Sequence, residues 1–444
     1  MGETNNREQF ASRWGFIMSC IGSAIGMGNI WLFPTRVSAY GGGTFIVPYL
    51  ICVILLGYSG IIGEIGLGRG TKSGSIGAFS KAMIHAGKDE KLGKILGLVP
   101  VVASLLLAIG YTVVTGWIVK YWIGSFTGAT LAPINVEGFG AAFGATASSF
   151  GNTGFQILAA VIAFGILTAG IANGIEKTNM IMMPLFYALF IGLAVYVYFQ
   201  PGSEAGYSYI FSINTDKIFS PEVWIFALGQ AFFSLSLGGS GTVIYGSYLS
   251  DTEDVLSTAK YIAFFDTLAA VTASLVIIPA MATAGQQLDS GGPGLMFVNL
   301  PNLFNGMKGG PIVTIVFFTA VLFAAITSLI NLYELSIATL QDTFNFSRAK
   351  AVMVIAVLGL SVSLLIQGIV GEWMDIVSIY INPLGAFIAG VMFYWVFGID
   401  YVKDELSKGR LQPVGNWIEP LGKYAFVGIT ILVYILGIVM GGIG

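Results

Sequence analysis

The sequence predicts an all-α membrane protein of eleven transmembrane helices, built as two inverted repeats of five helices in which helices one and six are discontinuous. Three observations predict this fold class. The 444 residues are 55% hydrophobic and only 10% charged, with a mean hydropathy of +0.83, whereas soluble domains carry about 25% charged residues. The apolar residues form runs long enough to cross a bilayer, and glycine-rich stretches interrupt two of those runs.

Eleven apolar segments are long enough to be membrane helices, which need about 20 mostly apolar residues. They cover residues 13–38, 41–68, 94–126, 155–173, 178–199, 223–248, 256–284, 311–341, 350–369, 373–398 and 424–443. The loops between them are rich in Gly, Pro and Asn, and none is long enough to fold separately. We therefore predict that residues 1–444 form a single domain.

The distribution of Lys and Arg predicts the orientation, because loops on the cytoplasmic side carry an excess of basic residues. With the N-terminus inside, the outer side would hold four basic residues, Arg36, Lys120, Lys217 and Lys308. The chain has 20 in total, so 20 − 4 = 16 would lie inside. The sequence thus predicts a multi-pass protein of the cell membrane with its N-terminus in the cytoplasm and its C-terminus outside.

The interrupted segments are residues 22–29 (GSAIGMGN) in the first span and 234–241 (SLSLGGSG) in the sixth. Each Gly in a helix costs about 1 kcal/mol relative to Ala, so several together favour unwinding. Tight packing of helices through small residues is the alternative for either stretch alone. Two such stretches five spans apart instead predict repeats at 13–200 and 223–398, with 424–443 as an extra helix, and a binding site at mid-membrane depth.

Composition and motifs argue against several other classes of protein. The net charge of −3 does not favour nucleic acid. Cys20 and Cys52 lie inside apolar runs, where buried thiols without a disulfide are expected. Neither HExxH nor GxxxxGK[ST] occurs, and the single histidine, His85, falls in a loop. We therefore predict neither an enzyme nor an ATP-driven pump, and no filter motif indicates a channel.

Four long motifs resemble those of the neurotransmitter:sodium symporter family. Residues 12–16 (SRWGF) with 22–34 (GSAIGMGNIWLFP) are similar to that family's first helix, and 39–49 (AYGGGTFIVPY) to its next segment. Residues 64–69 (EIGLGR) and 229–236 (GQAFFSLS) also match family motifs. The resemblance runs from about residue 7 to the tenth span and is strongest to bacterial transporters of bulky hydrophobic amino acids. It implies the leucine-transporter fold with two sodium sites beside a central substrate.

The resemblance implies which residues would bind the two sodium ions, and oxygen ligands suit this hard cation. The first site maps onto Ala24, Asn29, Ser234 and Asp266, and the second onto Gly22, Ile25, Ala324, Thr327 and Ser328. Two alternatives remain: the hydroxyls of Thr327 and Ser328 bond to their own helix, or Asp266 lies at a helix end near the cytoplasm. A carboxylate at position 266 would replace the chloride of other members, so no chloride requirement is expected.

The substrate site implied by the resemblance uses the broken helices and the third and eighth spans. Its residues are Ala24, Gly26, Met27, Gly28, Leu107, Tyr111, Phe233, Ser234, Ser236, Gly239, Ser328 and Leu332. Monoamine transporters carry Asp at the position of Gly26, so its absence here favours a substrate with its own carboxylate. Gly239 replaces a bulky aromatic residue of members selective for small substrates, which predicts a pocket wide enough for Trp, Phe and Tyr as well as Leu-like side chains.

Gating residues also follow from the resemblance. Tyr111 and Phe233 would cover the substrate. Asp375 would form the outer gate, but its usual Arg partner falls at Leu32, so Arg36 is the available substitute. The residues implied at the cytoplasmic gate are an ion pair between Arg7 and Asp342, with Phe10 and Tyr248 beside it.

Two acidic residues within the spans, Glu64 and Glu334, are expected to support the broken sixth helix. Each could instead face water at a helix end, as could Asp342 at the cytoplasmic gate.

The function implied is secondary active symport by alternating access, with inward Na⁺ flow driving uptake of neutral, bulky hydrophobic L-amino acids. A Na⁺-coupled carrier of an osmolyte or a GABA-like solute is the alternative, disfavoured by the apolar pocket. The expected partners are the amino acid, Na⁺ and the lipid bilayer, without nucleic acid, in a monomer or a weak homo-oligomer.

Overall fold

The computed structural model describes residues 8–285 and 291–443, and helices are the regular elements throughout those ranges. From the N-terminus they are α1 Arg13–Ala24, α2 Gly28–Ala39, α3 Gly43–Thr71, α4 Ser75–His85, α5 Glu90–Thr127, α6 Val136–Ala147, α7 Thr153–Thr168, α8 Ile171–Tyr198 and α9 Ser203–Ile210. They continue as α10 Pro221–Ser234, α11 Gly241–Ser247, α12 Val255–Thr283, α13 Leu300–Gly306, α14 Gly310–Phe344, α15 Arg348–Leu365, α16 Gln367–Val396, α17 Ile399–Ser407 and α18 Glu419–Met440.

Helices occupy all eleven predicted spans within the described residues, which makes the protein an all-α polytopic membrane protein as predicted. Eight single helices are long and apolar enough to cross a bilayer, and the bent pair α1 and α2 raises this number to nine. The two other predicted spans are the 16-residue α7 and the divided pair α10 and α11. The predicted repeat boundaries at 13–200 and 223–398 stay a prediction.

The first span breaks where the glycine-rich stretch begins. Helix α1 ends at Ala24, Ile25 is extended at φ −71° and ψ 108°, and α2 leaves at 57° to α1. The sixth span breaks between Ser234 and Gly241, where Ser236 at φ 52° and Gly239 at φ 66° are both left-handed. A left-handed conformation is costly for a residue with a Cβ such as Ser236, whereas Gly239 adopts it readily. Both residues depart from helical backbone and so interrupt the span here.

The broken helices lie at the centre of the bundle. Among the eight single helices long enough to cross a bilayer, α14 is the most enclosed, with 72% of its apolar window buried. It packs against α5, α8, α1 and α11. Helices α8, α15 and α18 bury only 28% of theirs, as expected for helices at the lipid-facing periphery. The two breaks therefore open into the protein interior, the setting that irregular backbone requires at membrane depth.

Candidate functional site

A cavity of about 540 Å³ begins at the two helix breaks and extends toward the end of the bundle opposite to the N-terminus. Met27, Tyr111 and Phe233 line its deep part, whereas Arg36 and Asp375 line its other end. Its volume lies within the range of about 300–1,000 Å³ that is usual for small-molecule sites. The cavity is thus a binding site of suitable size with a path leading away from it.

Most residues predicted for the substrate site line this cavity. They are Ala24, Gly26, Met27, Gly28, Leu107, Tyr111, Phe233, Ser236, Ser328 and Leu332. They come from α1, α2, α5, α10, α14 and the two breaks, which shows how segments far apart in sequence form one site. Ser234 and Gly239 are not among the lining residues and are described below.

The carboxylate-binding part of the predicted site is built around the absence of a side chain at Gly26. The Met27 backbone N–H donates to the Tyr111 hydroxyl at 3.3 Å. A Cβ on Gly26 would lie only 3.0 Å from that hydroxyl and 3.2 Å from the Ser328 Oγ. Glycine therefore lets two hydroxyl groups approach the unwound backbone, where several donors converge.

Asp266 is fully buried and lies among polar groups of three elements. Its carboxylate accepts from the Asn29 amide at 2.8 Å and from the Ser234 hydroxyl at 2.7 Å. The Asn29 amide also lies 3.1 Å from the Ser234 Oγ, and its Oδ1 accepts from the Gly26 N–H at 3.2 Å. The structure thus brings together the side chains predicted for the first sodium site, and it excludes the alternative of Asp266 at an exposed helix end.

The residues predicted for the second sodium site lie where α14 crosses the end of α1. The Ser328 hydroxyl lies 2.8 Å from the Ile25 carbonyl oxygen and 3.3 Å from that of Gly22. The Thr327 hydroxyl instead donates within its own helix, to Phe323 at 2.9 Å and Ala324 at 3.2 Å. The alternative of helix-bonded hydroxyls therefore describes Thr327, while Ser328 reaches across to the broken helix.

Glu64 on α3 lies at the break of the sixth span. Its Oε1 accepts from the backbone N–H groups of Gly238 at 3.0 Å and Gly239 at 2.7 Å. Because both donors lost their helical partners at the break, the carboxylate supplies the acceptor that they need. Glu64 thus has the supporting position that the sequence predicted.

The expectation that Gly239 widens the pocket is wrong. Gly239 faces α16, where an added Cβ would lie 2.5 Å from the Gly385 carbonyl oxygen and 3.0 Å from the Ala389 Cβ. It has a left-handed φ of 66° and is not among the residues that line the cavity. The Ser234 side chain is engaged by Asp266 rather than exposed in the cavity, and the substrate contact predicted for Ser234 stays a prediction.

Glu334 contacts the sixth span away from its break, at Tyr248, which directly follows α11. Glu334 is fully buried and accepts from the Arg348 guanidinium at 3.1 and 2.8 Å and from the Tyr248 hydroxyl at 2.7 Å. Arg348 also donates to the Leu167 carbonyl oxygen at 2.7 Å and lies 3.8 Å from the Glu8 carboxylate. We call Glu8, Tyr248, Glu334 and Arg348 the inner cluster, and it ties α14, α15, the end of α7 and the N-terminal segment together.

Phe10 packs beside the inner cluster, with its ring centroid 5.5 Å from Tyr245 and 6.3 Å from Tyr248. It thus has the place expected of a gate-supporting side chain. Asp342 lies at the exposed end of α14. Its predicted partner, Arg7, lies outside the described residues, so the pair stays a prediction.

Arg36 and Asp375 line the same cavity but form no ion pair within residues 8–285 and 291–443. The Arg36 guanidinium instead lies over the Phe226 ring, 4.2 Å from its centroid. Leu32, at the position of the usual Arg, also lines the cavity. The predicted substitution of Arg36 as partner of Asp375 is therefore not realised in this arrangement of the bundle.

Several site residues were not singled out from the sequence. Asn331 lines the cavity, and its amide nitrogen lies 3.5 Å from the Gly241 carbonyl oxygen. The Asn382 amide nitrogen lies 3.4 Å from the Leu237 carbonyl oxygen. Both are polar residues inside long apolar helices, a signal that could have singled them out. Arg348 was counted only as a basic residue of a loop, because its partner Glu334 lies 14 positions earlier.

Comparison with known proteins relates this chain to sodium-dependent transporters. The sequence matches the sodium:neurotransmitter symporter family over residues 7–133 and 142–440. It is 35% identical over 347 residues to the uncharacterized sodium-dependent transporter YhdH of Bacillus subtilis, covering 77% of this chain and 74% of that protein. An uncharacterized sodium-dependent transporter of Haemophilus influenzae is 32% identical over 365 residues, covering 79% of this chain and 78% of the relative.

Among solved structures, the crystal structure of MhsT in complex with L-phenylalanine resembles this fold with a TM-score of 0.83. The two chains are 31% identical, and the match covers 98% of this chain and 100% of MhsT. The similarity thus extends over nearly the whole chain.

Proposed function

The chain belongs to the sodium:neurotransmitter symporter family, and on that premise we propose that it couples inward Na⁺ flow to the uptake of neutral, bulky hydrophobic L-amino acids by alternating access. As a member of a family of sodium-dependent transporters in the membrane, it is not an enzyme. The observation that carries the proposed substrate class is the deep part of the cavity, in which polar groups converge on the helix breaks beside the apolar side chains of Leu107, Met27 and Leu332.

The carboxylate of an amino acid would bind at the start of α2. Backbone N–H groups and the helix dipole favour an anion there, and the Tyr111 hydroxyl already lies within hydrogen-bonding distance of the Met27 N–H. Gly26 leaves this space open. An acidic side chain at that position would repel a carboxylate, so a glycine suits an amino acid.

The rest of the substrate would face carbonyl groups and apolar side chains. The carbonyl oxygens of Ala24, Phe233 and Ser234 are the acceptors proposed for the amino group. Leu107, Met27 and Leu332 offer the apolar wall for the side chain. The crystal structure of MhsT, which is 31% identical, is of a complex with L-phenylalanine, and this supports a substrate of that size.

Two Na⁺ ions are proposed as co-transported substrates. One would bind among Ala24, Asn29, Ser234 and Asp266, and the other among the carbonyls of Gly22, Ile25 and Ala324 and the hydroxyls of Thr327 and Ser328. The buried Asp266 carboxylate supplies the negative charge that a cation requires at this depth. We therefore propose that transport needs no chloride.

Coupling would arise because the first Na⁺ site and the substrate share the same broken helices. Asn29 donates to Asp266 and accepts from Gly26, so one residue contacts both sites. Binding of Na⁺ would order the break of the first span, and that order would favour substrate binding. Loss of Na⁺ to the cytoplasm would then weaken substrate binding and allow its release.

The proposal is tested by uptake of tritiated tryptophan and leucine into proteoliposomes with an imposed inward Na⁺ gradient, with K⁺ as the cation control and gluconate replacing chloride. Sodium-dependent accumulation of both amino acids, unchanged in gluconate, is expected. Asp266→Ala should abolish it, whereas Glu137→Ala, on the exposed part of α6, should not. Uptake of GABA or an osmolyte without uptake of either amino acid would contradict the proposed substrate class.

A further inference from the structure

Asn179 on α8 is a fully buried amide that the sequence motifs did not single out. Its Nδ2 donates to the Ile175 carbonyl oxygen one turn earlier, at 2.8 Å. Its Oδ1 has no hydrogen-bond partner among the described residues. A buried amide oxygen without a partner loses its interaction with water and gains nothing in return, so its position calls for an explanation.

The orientation of this amide follows from its surroundings. The carbonyl oxygen of Ile175 can accept but cannot donate, so the side-chain nitrogen must face it. The opposite orientation would place two oxygens 2.8 Å apart. The unpaired atom directed away from α8 is therefore the amide oxygen, which is a ligand type for hard cations.

This oxygen points toward the place where α1, α8 and α14 meet. A Cβ added to Gly22 would lie 2.0 Å from the Asn179 Oδ1 and 2.9 Å from the Thr327 Cβ. Gly22 thus has no room for a side chain, and its hydrogen allows the Asn179 oxygen to contact the α1 backbone. Gly22 and Thr327 are two of the residues proposed above for the second Na⁺ site.

We propose that the Asn179 side-chain oxygen belongs to the second Na⁺ site and adds a contact from α8 to the groups of α1 and α14. This inference rests on the proposed function, because it needs a Na⁺ site at the end of α1. Carbonyl and hydroxyl oxygens there are neutral, and a further amide dipole directed at the ion adds to its stabilisation. The bound ion in turn satisfies the oxygen that the protein leaves unpaired.

The added contact would make Na⁺ binding sensitive to the position of α8. A site formed by α1 and α14 alone depends on two elements, whereas Asn179 requires a third to remain packed against Gly22. Movement of α8 away from α1 would withdraw one ligand and weaken Na⁺ binding. Release of the second ion would then be linked to the packing of a peripheral helix.

The test is equilibrium binding of ²²Na⁺ to the purified full-length protein and to its Asn179→Ala variant. Thermal melting of both proteins in Na⁺ and in choline checks that they are folded. Asn179→Ala should raise the Na⁺ concentration that half-saturates one of the two sites by roughly tenfold, the scale on which loss of one supporting group weakens metal sites. Asn152→Ala is the matched control, because Asn152 is also a buried amide without partners but lies near α5 and α7. Its Na⁺ binding should be unchanged.

Asn179→Asp provides a second readout that a purely structural role would not give. A carboxylate at the site makes Na⁺ compete with a proton, so Na⁺ binding should become tighter at pH 8 than at pH 6, by more than in the unaltered protein. This variant decides the question if Asn179→Ala does not fold. Na⁺ binding by Asn179→Ala equal to that of Asn152→Ala, or an Asn179→Asp variant without added pH dependence, would overturn the inference. Absence of Na⁺ binding by the unaltered protein would instead overturn the proposed function.

Discussion

At the residue scale, single acids and glycines hold the two interruptions in shape. Glu64 accepts from two backbone N–H groups that the broken sixth span leaves without helical partners. Gly239 adopts a left-handed conformation beside α16 that no other residue would adopt without cost. Both effects are local, so each can be tested by a single substitution.

Glu64→Ala would leave the N–H groups of Gly238 and Gly239 buried and unpaired, a cost of about 1–3 kcal/mol each. We expect a lower melting temperature of the purified protein and loss of amino-acid uptake. Glu64→Gln should be milder, because its amide oxygen can still accept. Glu137→Ala is the control at an exposed acid, and an equal loss of stability in that variant would contradict a specific role for Glu64.

Gly239→Ala is expected to destabilise the protein rather than to narrow the substrate pocket. The left-handed backbone costs about 1–2 kcal/mol for a residue with a Cβ, and the methyl group would overlap the Gly385 carbonyl oxygen. Thermal melting measures the loss of stability, and competition of tryptophan with labelled-leucine uptake measures the width of the substrate pocket. Gly192→Ala, which meets nothing within 4 Å, should retain stability. Selective loss of tryptophan uptake in a stable Gly239→Ala protein would contradict this expectation.

At the element scale, the inner cluster connects helices that would have to separate in the proposed alternating-access cycle. Arg348 on α15 contacts Glu334 on α14, the Leu167 carbonyl at the end of α7, and Glu8 before α1. The same N-terminal segment is held from α8, where Glu176 accepts from the Ala11 N–H at 2.6 Å and from the Ser12 hydroxyl at 2.7 Å. These contacts close the end of the bundle opposite to the cavity mouth.

Arg348→Ala should favour opening of this end, because it leaves the buried Glu334 carboxylate unpaired at a cost of about 3 kcal/mol. The buried thiol of Cys20 on α1 is a natural reporter. In a Cys52→Ser background, we expect Cys20 to react faster with a thiol reagent in the Arg348→Ala protein.

Lys350→Ala is the control for this measurement, because Lys350 is exposed. Its ammonium group lies over the ring of nearby Phe346, 3.8 Å from the ring centroid. Equal Cys20 reactivity in the Arg348 and Lys350 variants would argue against the inner cluster as a closing contact.

At the scale of the whole molecule, the two ends of the bundle differ. The inner cluster and the aromatic contacts of Phe10 fill one end, whereas the cavity extends toward the other, where Arg36 and Asp375 remain apart. This arrangement is the one expected of a transporter open to a single side. Substrate binding should close the cavity and bring groups at its mouth together.

A cysteine at Ser378, on the cavity wall contributed by α16, reports this closure. In a protein without Cys20 and Cys52, Ser378→Cys should react with a polar thiol reagent in Na⁺ and should be protected when Na⁺ and leucine are present together. Ile134→Cys, in an exposed loop, should react equally in both conditions. Protection by leucine without Na⁺ would contradict the proposed coupling.

The sequence by itself determined the membrane class, the number of apolar segments, the two interruptions and most of the residues around them. Length and hydropathy set the spans because the bilayer has a fixed thickness, and clustered glycines mark breaks because they weaken helices locally. The family resemblance mapped Asp266 onto the first sodium site, and its place within an apolar run indicated that this carboxylate must have buried partners.

Only the tertiary structure decided which way side chains point and which distant groups meet. Gly239 lies against Gly385 and Ala389 of α16 and does not line the cavity. Glu334 pairs with Arg348 across two helices, and Asn179 reaches Gly22 from a helix more than 150 positions later. These contacts depend on how helices rotate and cross when their side chains interdigitate, a property of the packed bundle that local sequence patterns do not encode.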